Sequence, residues 1–210
     1  IGGLTGFMRS LQKEVRRAKP DRVAICWEGP GGSQKRREKN KNYKLGRKAP
    51  RLNREYTFAT PEEERENKYS QLVRLTEYLD NLPILQLSIE NVEADDIIAW
   101  LCHCNEYSDW QKLIISNDKD FIQLCDDKTV LVRPGKNEEV LNKNNVLEQY
   151  NIHPRNFAWA RAITGDKSDN LEGVKGLGLA TVAKRFSFLS ENQDYTLKDI
   201  MTHAKNNNSK

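Results

Sequence analysis

The chain has 210 residues, with 34 Lys or Arg against 30 Asp or Glu and a formal net charge of +4. A domain of this size buries roughly 70% of its unfolded surface, so its core needs neither disulfides nor a structural metal. No apolar run approaches the ~20 residues needed to cross a bilayer, and the 37% hydrophobic, 30% charged composition fits a soluble protein.

Leu4, Phe7, Met8, Leu11 and Val15 recur at helical spacing and predict an amphipathic helix ending near Pro20. Arg22 to Trp27 reads as a short buried strand. From about Gly29 to Ala59 the chain is polar and basic, with almost no apolar periodicity. Gln34 to Arg54 alone holds ten Lys or Arg and one acid, Glu38. A stretch of that length without a core face is uncommon in a compact domain unless it is functional or disordered.

Thr60-Pro61-Glu62-Glu63 then starts a helix, with Pro at its first position and a capping-box Glu three residues after Thr. Tyr69, Leu72, Val73, Leu75 and Leu79 form its apolar face. Next come a strand (Ile84 to Leu87), a helix (Glu93 to about Cys104), a strand (Lys112 to Ser116), a short helix (Asp120 to Leu124) and a strand (Thr129 to Val132). Strands alternating with helices predict an α/β domain with a mostly parallel sheet. After Asn142 the pattern turns helical, and residues 191–210 form a polar tail, frayed from Asn206.

Cys26, Cys102, Cys104 and Cys125 lie in apolar segments and predict buried free thiols in a reducing compartment, because their spacing suits neither a zinc site nor a bridge. Three scattered histidines offer no imidazole cluster. The acids, by contrast, are grouped. Glu93, Asp95 and Asp96 open a helix after a strand, and the i,i+3 spacing puts Glu93 and Asp96 on one face. Asp118 and Asp120 follow the apolar strand Leu113-Ile114-Ile115, and in an extended segment both would project from one strand end. Asp166 and Asp169 lie in Gly165-Asp166-Lys167-Ser168-Asp169-Asn170.

Each group has a plainer reading: acids complementing a helix dipole, a turn followed by an N-cap, and an ordinary polar loop. Together they point to metal. Ligands of an open α/β sheet bind at the carboxyl ends of strands. Converging carboxylates need cations, and hard oxygen ligands select Mg²⁺ or Mn²⁺. A pair of such ions about 4 Å apart can activate water and stabilise the leaving oxygen in phosphodiester cleavage.

Val92-Glu93-Ala94-Asp95-Asp96, Asn117-Asp118-Lys119-Asp120 and Thr164 to Asn170 occur in that order, followed by Gly173-Val174-Lys175-Gly176-Leu177-Gly178. The series resembles the 5′-nuclease family of flap endonucleases, bacteriophage 5′→3′ exonucleases and the nuclease domain of bacterial DNA polymerase I. The likeness runs to about Phe186. It implies a PIN-like (resolvase-like) α/β core over residues 1–141, including a basic arch at about 29–60. A helical region with a helix–three-turn–helix over 142–190 follows. The implied activity is a two-metal, structure-specific 5′-nuclease acting on 5′ ends or flaps of DNA, and on RNA in RNA–DNA hybrids, in replication or repair. The protein would be a monomer in the cytoplasm of a bacterial or phage-infected cell.

By the resemblance, Glu93, Asp95, Asp96 and Asp118 help hold one metal, while Asp120, Asp166 and Asp169 line a second site that Asp118 also approaches. Glu28 stands where the family carries an Asp, and reaches one methylene further. Arg36 and Arg37, Tyr43-Lys44-Leu45-Gly46-Arg47 and Lys48 resemble the arch through which a single-stranded 5′ end passes. Lys44 and Arg47 would share a face if that segment were helical, and with Arg37 could offset charge on the scissile phosphate. Gly173, Lys175, Gly176 and Gly178 resemble the element that holds duplex DNA, commonly with a monovalent cation such as K⁺.

A non-catalytic, structure-specific DNA-binding module with a degraded metal site is the alternative, which Glu28 favours slightly and the other acids oppose. The likeness also raises the expectation of a further N-terminal strand ending in another metal-binding Asp.

Overall fold

The computed structural model describes residues 2–45, 60–135 and 137–207. In chain order its elements are α1 (Gly2–Ala18), β1 (Ala24–Cys26), α2 (Gln34–Lys39), α3 (Pro61–Asp80), β2 (Leu85–Leu87), α4 (Ala94–His103), β3 (Lys112–Ile115), β4 (Thr129–Arg133), β5 (Glu139–Leu141), α5 (Lys143–Tyr150), α6 (Phe157–Thr164), β6 (Gly165–Asp166), β7 (Leu171–Glu172), α7 (Leu179–Arg185) and α8 (Leu197–Asn207). The described residues fall into two compact units, one of 2–32 and 60–94, the other of 33–45 and 95–207.

In the first unit β1 and β2 pair in parallel, Ala24 opposite Leu85 and Cys26 opposite Leu87. The crossover between them includes α3, which begins as its sequence predicts. The Thr60 side chain accepts from Glu63 N, and the Glu63 carboxylate accepts in return from Thr60 N at 2.8 Å. From α3, Gln71 Oε1 accepts the amides of Gly3 (3.0 Å) and Leu4 (3.3 Å), which α1 cannot satisfy internally. Phe7 of α1 stacks against Trp27, and the Trp27 indole donates to Gln86 of β2. The chain leaves α1 through Lys19 at φ 47, just ahead of Pro20.

The second unit carries the larger core. β3 and β4 run parallel, with Ile114 opposite Leu131, and β5 closes the sheet antiparallel to β4. Phe121, Ile122, Leu131, Val146, Ile152, Phe157, Val182 and Leu189 are buried together. Each such side chain contributes roughly 1.5–3 kcal/mol of transfer free energy.

The expected parallel pairing is present in β1–β2 and β3–β4, while β4–β5 and β6–β7 are antiparallel. Two other expectations change. The edge strand β5 lacks a period long enough to be read from sequence. The polar tail forms α8, which docks through buried Ile200 and partly buried Ala204, with the His203 ring against Phe186 and Phe188. Of the thiols, only Cys125 is fully buried, and burial pushes its pKa up to about 11; all four are free.

Candidate active site

Asp118 and Asp120 meet at the turn after β3. The strand ends at Ile115, so the two carboxylates do not project from an extended segment as expected. Asp118 instead caps a 3₁₀ turn over Lys119–Leu124, its Oδ1 accepting Asp120 N at 2.9 Å. The capping reading therefore holds at this residue. Burial raises the Asp120 pKa, and the charges of Asp118 and Asp166 raise it further, while Arg161 opposes them. Asp166, 46 residues along the chain from Asp120, is thus part of the same acidic neighbourhood.

Arg161, on the last turn of α6, ties that neighbourhood together. Its Nε donates to Asp120 Oδ1 at 3.2 Å, its Nη2 to Asp166 Oδ2 and its Nη1 to the Gly165 carbonyl at 3.4 Å. The other Asp166 oxygen accepts both the amide and the hydroxyl of Ser168, at 2.7 Å each. Burial would raise the Asp166 pKa, but the Ser168 bonds and the Arg161 charge outweigh it and hold the carboxyl below its ordinary range.

A second arginine bridges a second acid pair. Arg36 of α2 pairs with Asp95 (3.3 Å) and Asp96 (2.9 Å), both on the first turn of α4. It also donates to the Tyr43 hydroxyl at 3.3 Å. Tyr43 is buried, and the Lys44 ammonium sits 4.9 Å from its ring centroid. Segment 40–45 is fastened to the Asp166–Asn170 loop: Lys44 N donates to Asp169 O (3.0 Å) and Asn170 Nδ2 to Asn42 O (3.1 Å). Arg36, expected to contact DNA, is therefore engaged with carboxylates here. Lys44 adopts φ 54, so the helical arrangement that would align it with Arg47 does not extend through it. Arg37 is exposed on α2. Arg47 and Lys48 lie outside the described residues.

Glu28 and Glu93 belong to the first unit. Glu28 Oε2 accepts Ala94 N at 3.3 Å, which places this carboxylate at the N-terminus of α4. Gly32 keeps room beside it, and Gly29 allows a close backbone approach to Ile89. A Cβ on Gly29 would lie 1.7 Å from Ile89 O, and one on Gly32 3.0 Å from Glu28 Oε1. Glu93 is fully buried whereas Asp96 is exposed, so the expected common face is not formed; Glu93 precedes the helix, where i,i+3 geometry does not apply.

The glycine-rich segment joins α6 to α7 by way of the β6–β7 hairpin, and its glycines differ in what they do. Gly173 packs backbone to backbone, since a Cβ there would lie 2.1 Å from Thr164 O. Gly176 has φ +82 with open space around it, and Gly178 is the N-cap of α7, likewise open. Lys175 is exposed between them.

The donors in the second unit, Asp95, Asp96, Asp118, Asp120, Asp166 and Asp169, are all hard oxygens. Among the described residues no three acidic, His or Cys side chains close into a metal cage. Even so, Asp118 and Asp166 both act on Asp120, and three carboxylates so grouped are donors of the kind a divalent cation takes. The sequence reading missed Arg161 and Ser168. The available signals, a cation in a final helical turn and a Ser two residues after an Asp, are too common to single them out.

A parallel strand pair with acids after its first strand and helices around it is the arrangement of a resolvase-like α/β domain. Residues 1–151 match the model of the 5′-3′ exonuclease N-terminal resolvase-like domain, and the chain belongs to that family. It is 39% identical over 122 residues to a 5′-3′ exonuclease of Buchnera aphidicola subsp. Schizaphis graminum (strain Sg), covering 57% of this chain and 42% of the relative. It is 34% identical over 184 residues to the thermostable DNA polymerase I of Thermus aquaticus, covering 88% of this chain and 20% of the relative. The chain thus spans less than half the length of either. Its fold resembles that of the bacteriophage T5 D15 flap endonuclease in a pseudo-enzyme-product complex with DNA and metal ions. There the TM-score is 0.69 at 20% identity, over 97% of this chain and 75% of that one. Among the described residues no helix is long and apolar enough to cross a membrane.

Proposed function

We propose that the chain is a divalent-metal-dependent 5′-nuclease that hydrolyses phosphodiester bonds at 5′ ends and flaps of DNA, and of RNA in RNA–DNA hybrids, in replication or repair. The observation that carries this reading is the gathering of Asp118, Asp120 and Asp166, joined by the Asp118 cap and the Arg161 bridge, beside the docked basic segment. The family match and the activities of the relatives support it.

Within the second unit, Asp95, Asp96 and Asp118 would hold one Mg²⁺ or Mn²⁺, and Asp120, Asp166 and Asp169 a second. Bound ions would supply Lewis-acid activation of water and neutralise charge on the phosphate. The chain's own residues do the rest. Lys44, with Arg37 and Arg47, grips the scissile phosphate and offsets its developing charge. Arg36 and Lys48 add backbone contacts that read phosphate rather than sequence. Gly176 and Gly178 leave open space at their own positions while Leu177 packs against the core, so that duplex backbone can approach beside Lys175, where a K⁺ ion would neutralise phosphate charge.

The protein acts in the cytoplasm as a monomer. The test is a labelled 5′-flap substrate incubated with Mg²⁺ and with EDTA. Cleavage in Mg²⁺ alone is the expected result. Binding without cleavage in either condition would favour a non-catalytic DNA-binding module.

A further inference from the structure

Arg161 is held more completely than a surface ion pair requires. Its guanidinium presents a rigid fork of donors, and Nε, Nη1 and Nη2 each meet a different acceptor: Asp120, the Gly165 carbonyl and Asp166. The side chain is only 21% exposed. The path by which the chain leaves α6 is fixed too. Gly165 has φ +73, and a Cβ there would lie 2.2 Å from Gly173 N. Asp166 is therefore gripped from two sides, by Ser168 on one oxygen and Arg161 on the other. Asp120 is gripped by the same guanidinium from a turn 41 residues earlier in the chain.

A single planar group thus sets both the separation and the orientation of two carboxylates on different elements. We propose that Arg161 is a positioning residue for a divalent-metal site, its fork preorganising Asp120 and Asp166 to receive the ion. The inference rests on the reading of those two acids as ligands. A group that only neutralised charge could be replaced by any cation. A group that positions cannot, because lysine offers a point charge without the bidentate plane.

The test is Mn²⁺ binding to the whole chain by titration calorimetry without DNA, comparing the parent with Arg161→Met, Arg161→Lys and Ser168→Ala. Circular dichroism and melting in EDTA serve as folding controls. Removing an outer partner of a metal ligand typically weakens binding by about 10–100-fold. Arg161→Met and Arg161→Lys should both fall in that range. Ser168→Ala, which leaves the Ser168 amide in place, should lose less, in the same direction.

Flap cleavage by the arginine variants should be restored in part by raising Mn²⁺, with KM for DNA little changed. Arg161→Met binding Mn²⁺ as tightly as the parent, or more tightly, overturns the inference, as does full restoration by Arg161→Lys. A parent chain that takes up no Mn²⁺ overturns the metal reading itself and this inference with it. Should Arg161→Met fail to fold, the lysine and Ser168 variants decide the matter alone.

Discussion

Two arginines each bridge two acids in the second unit, and they differ in enclosure. Arg36 reaches Asp95 and Asp96 from α2, and the Asp96 side chain is 54% exposed. Arg161 reaches Asp120 and Asp166 from α6, and Asp166 is 18% exposed. An ion pair as open as the first is screened and contributes at most about 1 kcal/mol. The second keeps more of its Coulomb energy, because its guanidinium is 21% exposed against 39% for Arg36. A carboxylate cluster can therefore have a rigid half, preorganised by the protein, beside a half whose counter-charge exchanges readily with solvent, an ion or a phosphate.

The largest expected effect removes the acid next to the enclosed pair. Asp118→Asn deletes one charge and keeps the shape of the cap, so DNA binding should persist in a gel-shift assay. Flap cleavage in Mg²⁺ should fall by more than about a hundredfold, beyond the loss typical of an outer partner. Cleavage near the parent rate would sink the two-metal reading.

Next is a site away from both arginines. Gly176→Val forces a β-branched residue to φ +82, a strain of about 1–2 kcal/mol. If the glycine turn carries duplex binding, affinity for blunt duplex should drop by up to roughly tenfold. Unchanged affinity in a fluorescence-anisotropy titration would place duplex binding elsewhere.

Lys44→Ala tests the basic segment docked beside the exposed pair. It should slow cleavage and lower the salt slope of flap binding by roughly one, the signature of one lost phosphate contact. An equal effect on blunt duplex would argue against a role specific to the single-stranded arm.

Acidity separates the halves of the enclosed pair. The folded pKa of Asp166 is depressed, so its stabilisation is present above the ordinary carboxylate range and is lost as pH falls through the depressed value. The folded pKa of Asp120 is raised, so its ionised form opposes folding, and that penalty is relieved as pH falls through the raised value. Asp166→Asn should therefore make the acid-side loss of melting temperature shallower, measured from about pH 6 to pH 3 around the carboxylate reference values. A steeper loss would contradict the assigned directions.

The smallest effect belongs to Arg36. Arg36→Ala should change chemical stability by at most about 1 kcal/mol, and less at high salt. A larger, salt-insensitive loss would mean that the two bridges are not different in kind.

Much of this was legible before any coordinates. Thr60-Pro61 with Glu63 forms a capping box because that chemistry is local, complete within four residues. The strand at Lys112–Ile115 and the helix at Ala94–His103 follow from apolar runs and periodicity. The acids were legible as groups because their spacing is short. The orientation of Glu93 was not, because whether a residue lies inside or just before a helix depends on a boundary that local pattern fixes only to within a turn. Arg161 and the capping role of Glu28 were hidden for a different reason. Their partners lie 41 and 66 residues away in the chain.

Contiguous residues encode the alternation of strands and helices, the three acidic groups and the basic segment through propensity, period and charge. The tertiary structure decided which acids share a field, which cation stands between them and how each carboxylate is turned. Those depend on distances of about 3 Å between groups far apart along the chain, and no local rule fixes them.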